Sequence, residues 1–160
     1  MLKSKRVSRI ISALLVVMLV ASLGITTVSA NNHDDTEFTF AFNSASPLSW
    51  TAVREKTDST SMYARISTMD GAYYVVCYGT KASEYKGYGG SGSGLPSHLR
   101  NVARYDGDYV RFTSAGESHY ISNWVYESKE ANESRVWAAL AGKTVASYHN
   151  VRGVWSPDSV

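Results

Sequence analysis

The feature that most constrains this chain is a period of two. Glu37-Phe38-Thr39-Phe40-Ala41-Phe42 alternates aromatic with small or charged residues, and residues 62 to 69 alternate again. Successive side chains of an extended strand point to opposite faces, so Phe38, Phe40 and Phe42 fall on one side of a sheet. Asp70-Gly71 closes the second run. Asp-Gly suits the tight hairpin turn whose two central residues both need positive φ. The spacing predicts a hairpin of residues 62–69 with 72–78, in which Ile66 faces Val75 and Ala64 faces Cys77. Those four would line the core. Tyr63, Arg65, Ser67, Tyr74 and Tyr78 would share the opposite face, and a slip of one residue would exchange the two sets.

A second Asp-Gly corner, Asp106-Gly107, predicts a hairpin that pairs Ala103 with Val110 and Arg104 with Tyr109. Residues 120–126 and 145–155 read as further strands, the latter stopped by Ser156-Pro157. Residues 79–97 hold six glycines and read as a flexible loop. Residues 129–143 leave two readings open. Ala138 to Ala141 followed by Gly142 favour a helix with a glycine stop, whereas Val136 and Trp137 suit a strand, the preferred reading, that returns against 120–126. About seven short strands with turn signals between them imply a mainly β chain, an antiparallel β-sandwich or barrel-like single domain.

The first thirty residues have a different character. Lys3, Lys5, Arg6 and Arg9 precede an uncharged apolar stretch from Ile10 to Leu23, and Val28-Ser29-Ala30 offers small residues at the cleavage positions. This is the layout of a secretory signal peptide. The chain therefore divides into a leader at 1–30, a flexible arm at 31–36 and one β-rich domain at 37–160, and the product is expected to be secreted and extracellular. Four of the 16 Lys and Arg precede residue 31 and none of the 14 Asp and Glu does, so cleavage leaves 12 bases against 14 acids. That balance does not suggest the basic face of a nucleic-acid binder, and no nucleic acid is expected as a partner.

Signals for chemistry are weak. Gly87-Tyr88-Gly89-Gly90-Ser91-Gly92 carries the letters of a dinucleotide fingerprint, but no helix-forming run follows to aim its N-terminus at a pyrophosphate, so no nucleotide is expected. No serine sits in a G-x-S-x-G elbow, and no HExxH, CxxC or EF-hand loop is present. The chain is therefore read as not an enzyme, with no cofactor and no metal among its expected site groups. One marginal case is Asn31-Asn32-His33. At a free N-terminus, an amine, two backbone nitrogens and a third-position imidazole can offer a square-planar Cu(II) site, here on an arm where copper would be an accidental guest. Cys77 is the lone cysteine and is expected to be a buried small hydrophobe. Tyr63, Arg65, Tyr74 and Tyr78 are the expected ligand-binding residues, because Tyr and Arg bury much area at low entropic cost in binding surfaces.

Val53-Arg54-Glu55-Lys56-Thr57, Ser61-Met62-Tyr63-Ala64-Arg65, Tyr120-Ile121-Ser122-Asn123 and the ending Gly153-Val154-Trp155-Ser156-Pro157-Asp158-Ser159 resemble an uncharacterised family of small secreted proteins of Gram-positive bacteria, a domain of unknown function. The chain is also distantly similar to lactococcin-like bacteriocins. The resemblance implies secretion and a compact β fold, and it carries no functional residues. The expected function is that of a secreted, non-enzymatic module that binds a cell-envelope component or surface protein, or a bacteriocin-like toxin, monomeric by default. The alternative is a small extracellular hydrolase or an inhibitor of one.

Overall fold

The structure, a computed structural model, describes residues 32–70, 74–144 and 149–159. Among them lie eleven strands and no α-helix. One sheet has the order β1 (Thr36–Phe42), β11 (His149–Ser156), β4 (Met62–Met69), β9 (Ser118–Ile121), every neighbour antiparallel. The other has the order β6 (Gly90–Gly92), β2 (Leu48–Trp50), β10 (Val136–Lys143), β5 (Val75–Ala82), β7 (Leu99–Asn101). Here β3 (Arg54–Lys56) continues β2 along β10, and β8 (Val110–Phe112) continues β7 along β5. The mainly β, two-sheet, single-domain architecture is the expected one.

The period of two reports correctly which side of each strand is buried. Phe38, Phe40, Phe42, Ala64, Ile66, Val75 and Cys77 all enter one core, with Met62, Phe112, Leu140 and Trp155. It misreports the partners. β4 pairs with β11 and β9, while β5 pairs with β10, β7 and β8, so the two strands lie in different sheets and the expected hairpin does not form. Residue 71 of the expected Asp-Gly corner lies outside the described residues, and β4 and β5 present their apolar residues to the core from opposite sides. The second corner is likewise no hairpin. Residues 106–108 form a single 3-10 turn inside an excursion from the sheet edge, because β7 and β8 both pair with β5 and not with each other.

Residues 136–143 form a strand, which closes the open reading, but it pairs with β5, β2 and β3 and not with residues 120–126, whose strand β9 lies in the other sheet. Val136, Ala138 and Leu140 face the main core, while Ala139 packs in one small outer cluster and Ala141 in another. A strand buried on both faces reads as an unbroken apolar run, and that run imitates a helix. The expected strand at 120–126 stops at Ile121, and residues 125–128 turn.

The outer layer explains the glycines. The stretch expected to be a loose loop instead crosses the outside of the second sheet. Tyr85 meets Trp137 at 5.2 Å between ring centroids, the Val53 N–H donates to Lys86 O at 2.8 Å, and β6 pairs with β2. A Cβ on Gly90 would lie 2.8 Å from the Trp50 ring. The glycine lets the backbone rest on that ring, the close approach that a missing side chain permits. The expected flexible arm is also tethered from Asn32 onward, where its N–H donates to Asp158 Oδ2 and its side chain donates to Glu55 O.

Candidate functional site

The four residues expected to share one binding face part between the two sheets. Tyr63 and Arg65 lie on the outer face of the first sheet, where Tyr63 meets Tyr120 across β4 and β9 with centroids 5.7 Å apart. Tyr74 lies beside the second sheet with the Arg111 guanidinium 4.3 Å above its ring. Tyr78 is buried against Leu48 and Ala141 and does not join an exposed surface. Burial, with the Tyr109 and Cys77 neighbours adding to it, pushes its phenol up to about 12.

A different cluster converges. β7 pairs with β5 at Thr80–Ala82 and β8 at Val75–Cys77; the Val102 N–H still donates to Gly79 O at 3.5 Å, and residues 103–109 then leave the edge. Asp108 fixes their course. Its buried carboxylate accepts the N–H of Arg104 at 2.6 Å and of Tyr105 at 3.2 Å through Oδ2. Charge-assisted bonds of this kind hold a loop more firmly than neutral ones. Asn101 Oδ1 accepts the Ala103 N–H at 2.8 Å, and Asn101 Nδ2 donates to the Tyr109 hydroxyl at 2.5 Å. From the first sheet, β9 gives way to buried Asn123, whose Oδ1 accepts the Val125 N–H at 3.3 Å. Lys81 then anchors the far end, donating to Ser128 O at 2.8 Å and to Glu133 at 2.7 Å. The Lys81 hydrogen bond chiefly holds the Glu133 carboxyl below its ordinary range.

These two anchored segments bring Arg104 over the Trp124 ring, 4.5 Å from its centroid. A guanidinium on an indole face is favourable and keeps its charge available to solvent. Arg100, Val102, Ala103, Arg104, Trp124 and Glu127 line an open cleft of about 420 Å³. Exposed Tyr105 and Tyr126 belong to the same two segments. In the sequence, Arg104 falls in the expected Asp106-Gly107 hairpin and Trp124 in the expected strand at 120–126. Tyr105-Asp106-Gly107-Asp108-Tyr109 was the available signal, since an acid after an Asp-Gly corner can turn back onto the preceding N–H groups.

A second cleft of about 430 Å³ brings His33, Asp34, Asp35, Tyr63, Tyr120 and Ser156 together. Beneath it Lys56 Nζ lies 3.0 Å from Asp158 Oδ1 with both side chains fully buried. Lys56 also donates to Thr60 O at 2.6 Å and Pro157 O at 2.7 Å. Asp158 Oδ2 accepts the Thr57 hydroxyl at 2.7 Å, the Thr57 N–H at 3.1 Å and the Asn32 N–H at 3.0 Å. Burial works against the Asp158 charge, but the bonds from Thr57 and Lys56 and the Lys56 charge outweigh it and hold the carboxyl below its usual range. Arg54 donates to the Trp155 carbonyl and the Asn32 side chain, so the segments around Asn32 and Trp155 are joined at this point.

Among the described residues, no group of three or more His, Cys, Asp or Glu is placed to hold a metal ion. Asn31 of the Asn31-Asn32-His33 run considered for copper, like the leader expected at 1–30, lies outside the described residues. Cys77 is free and buried, and burial raises its thiol far above the range in which a thiolate attacks.

A family model described as a protein of unknown function (DUF2712) matches residues 26–159. The chain belongs to the DUF2712 family. No curated protein and no solved structure matches it. In this DUF2712 protein the segments that carry the sequence resemblance meet in space. Lys56 and Thr57 clasp Asp158, Tyr63 stands opposite Ser156 in β11, and Tyr63 stands opposite Tyr120 in β9. The resemblance therefore follows the closure of the fold, and its Tyr120–Asn123 segment runs directly into Trp124 of the cleft.

Proposed function

We propose that this chain is an exported, non-enzymatic protein that binds a phosphate-bearing polymer of a Gram-positive cell envelope through the Arg104–Trp124 cleft. The observation that carries the reading is the Arg104 guanidinium held over Trp124 by a loop that Asp108 has already ordered. A preorganised loop loses little entropy on binding, and Arg, Trp and Tyr are the residue types that dominate binding surfaces. Arg100 and Arg104 suit an anionic group with bidentate geometry. Glu127, on the same cleft, suits an ammonium in the same polymer. Export rests on the layout of residues 1–30, and a bacteriocin-like action would follow from attachment to neighbouring cells.

The test is retention of purified protein on insoluble Gram-positive cell wall, before and after acid extraction of its phosphate polymer. Retention that vanishes on extraction, and in Arg104→Ala and Trp124→Ala, is the expected result. Undiminished retention of both variants overturns the assignment of the site. The hydrolase alternative draws on the His33–Asp34–Asp35–Ser156 cleft. There, Asp158 is already committed to Lys56 and Thr57, and His33 Nδ1 is buried with no partner among the described residues. A triad needs its base hydrogen-bonded to an orienting carboxylate. Release of soluble fragments from the same wall preparation would favour the alternative.

A further inference from the structure

We propose that Lys56 and Asp158 condense into an intramolecular amide that staples the two sheets together. Lys56 closes β3 in the second sheet, and Asp158 follows β11 of the first by two residues. The reacting groups are in contact, Nζ to Oδ1 at 3.0 Å, and neither side chain is exposed. A pair held in contact in one orientation reacts as an intramolecular system, at a large effective concentration. The contrast with Lys81 is instructive. Its partner Glu133 is 27% exposed, so water competes for that carboxylate.

Three further features are those a condensation needs. Asp158 Oδ2 already receives three donors, the Thr57 hydroxyl, the Thr57 N–H and the Asn32 N–H. They stand where the oxyanion of a tetrahedral intermediate would form. A second carboxylate, Asp58, has Oδ1 3.9 Å from Lys56 Nζ, and its side chain is one-third exposed. It is oriented by the Thr60 N–H at 2.9 Å and the Thr60 hydroxyl at 2.5 Å. This places a proton carrier beside the ammonium and in reach of solvent. The driving force comes from burial itself, because an amide replaces two desolvated charges by one neutral group that keeps its hydrogen-bonding atoms.

The step balances without any co-reactant. Asp58 accepts one proton from the Lys56 ammonium, and the freed nitrogen lone pair attacks Asp158 Cγ. The Nζ–Cγ bond forms while the Cγ–Oδ2 π pair moves onto Oδ2. Asp58 returns its proton to Oδ1, a second nitrogen proton follows by the same carrier, and the Cγ–Oδ1 bond breaks as water leaves. The third ammonium proton stays on the amide nitrogen, and Asp58 ends as the carboxylate it began.

Mass spectrometry of the folded, then denatured, protein decides the matter. The expected intact mass is one water below that of the chain counted from its own N-terminus. Trypsin should fail to cut after Lys56 and should release a branched peptide joining residues 55–65 to 153–160. Asp158→Ala should carry its full sequence mass, and Asp58→Ala should keep the β signature in circular dichroism while losing the branched peptide. A folded wild-type protein of full mass, cut after Lys56, overturns the proposal. Should a variant fail to fold, the wild-type mass and the branched peptide still decide it.

Discussion

Phe40 and Gly142 interlock between the two sheets, the ring edge of one occupying the space where the other lacks a side chain. A Cβ at Gly142 would overlap Phe40 Cε2, and neighbours in so dense a core give little. Gly142→Ala should therefore destabilise the domain by about 1–3 kcal/mol, the ordinary cost of overpacking. Urea unfolding measures it. Phe40→Leu should cost stability alone yet recover part of the loss when combined with Gly142→Ala, a coupling that two independent sites would not show.

The outer layer makes a second prediction. Gly89→Ala would drive a Cβ into the Trp50 carbonyl, and Gly90→Ala into the Trp50 ring. The strap should lift from the second sheet while the main core, built from other residues, stays folded. Limited trypsin digestion should then cut faster after Lys86, whose carbonyl accepts the Val53 N–H in the docked state. Trp fluorescence should shift to the red as Trp50 meets water. Unchanged cleavage in both variants would mean that the strap does not depend on this approach.

How far these elements could be read beforehand follows from what a strand pattern encodes. Ala64, Ile66, Val75 and Cys77 are buried as their alternation requires, whether their strands pair side by side or face each other across a core. The pattern fixes the face and leaves the neighbour free, so an Asp-Gly corner compatible with a hairpin misassigned both partners. Tyr78 failed as a surface residue for a related reason. The strap from Ser83 to His98 covers the outer side of its sheet, and composition alone gave glycines as slack and not as contact. The Arg104–Trp124 pair was invisible for want of long-range information, since β7, β8 and β9 bring the two segments together from both sheets.

Asp108 makes the binding reading separable from stability. Its carboxylate accepts two loop N–H groups and touches neither Arg100 nor Trp124 in that role. Asp108→Ala leaves both donors unpaired, at a cost of about 1–3 kcal/mol. The loop should lose its fixed course, and retention on cell wall should fall well before the global unfolding midpoint does. Asp108→Asn keeps one acceptor and should lie between. Equal retention by Asp108→Ala and wild type would show that the ordering of this loop does not matter to binding.

The acid dependence of stability should show two separate limbs. His149 is buried against Phe42, with ring centroids 5.0 Å apart, and both its nitrogens lack a partner among the described residues. Burial lowers its pKa, with the Asp70 charge pulling the other way. The unfolded chain takes up this proton near about pH 6.5, before the folded one does. Below that point the unfolded state holds more protons, so stability falls as pH drops, by up to about 1.4 kcal/mol per pH unit for one group, and it is level above. The carboxylates act lower down. The Thr113 hydroxyl and N–H, with Ser114, hold Glu117 at about 2. Its contribution is complete above the unfolded carboxylate value and fades as pH falls toward about 2. Urea midpoints across this range should therefore decline first through the histidine window and again through the carboxylate window. His149→Phe, which keeps a ring against Phe42, should abolish the first decline and leave the second. If the upper limb survives in His149→Phe, a different group titrates there and the buried ring is not the origin of the acid sensitivity.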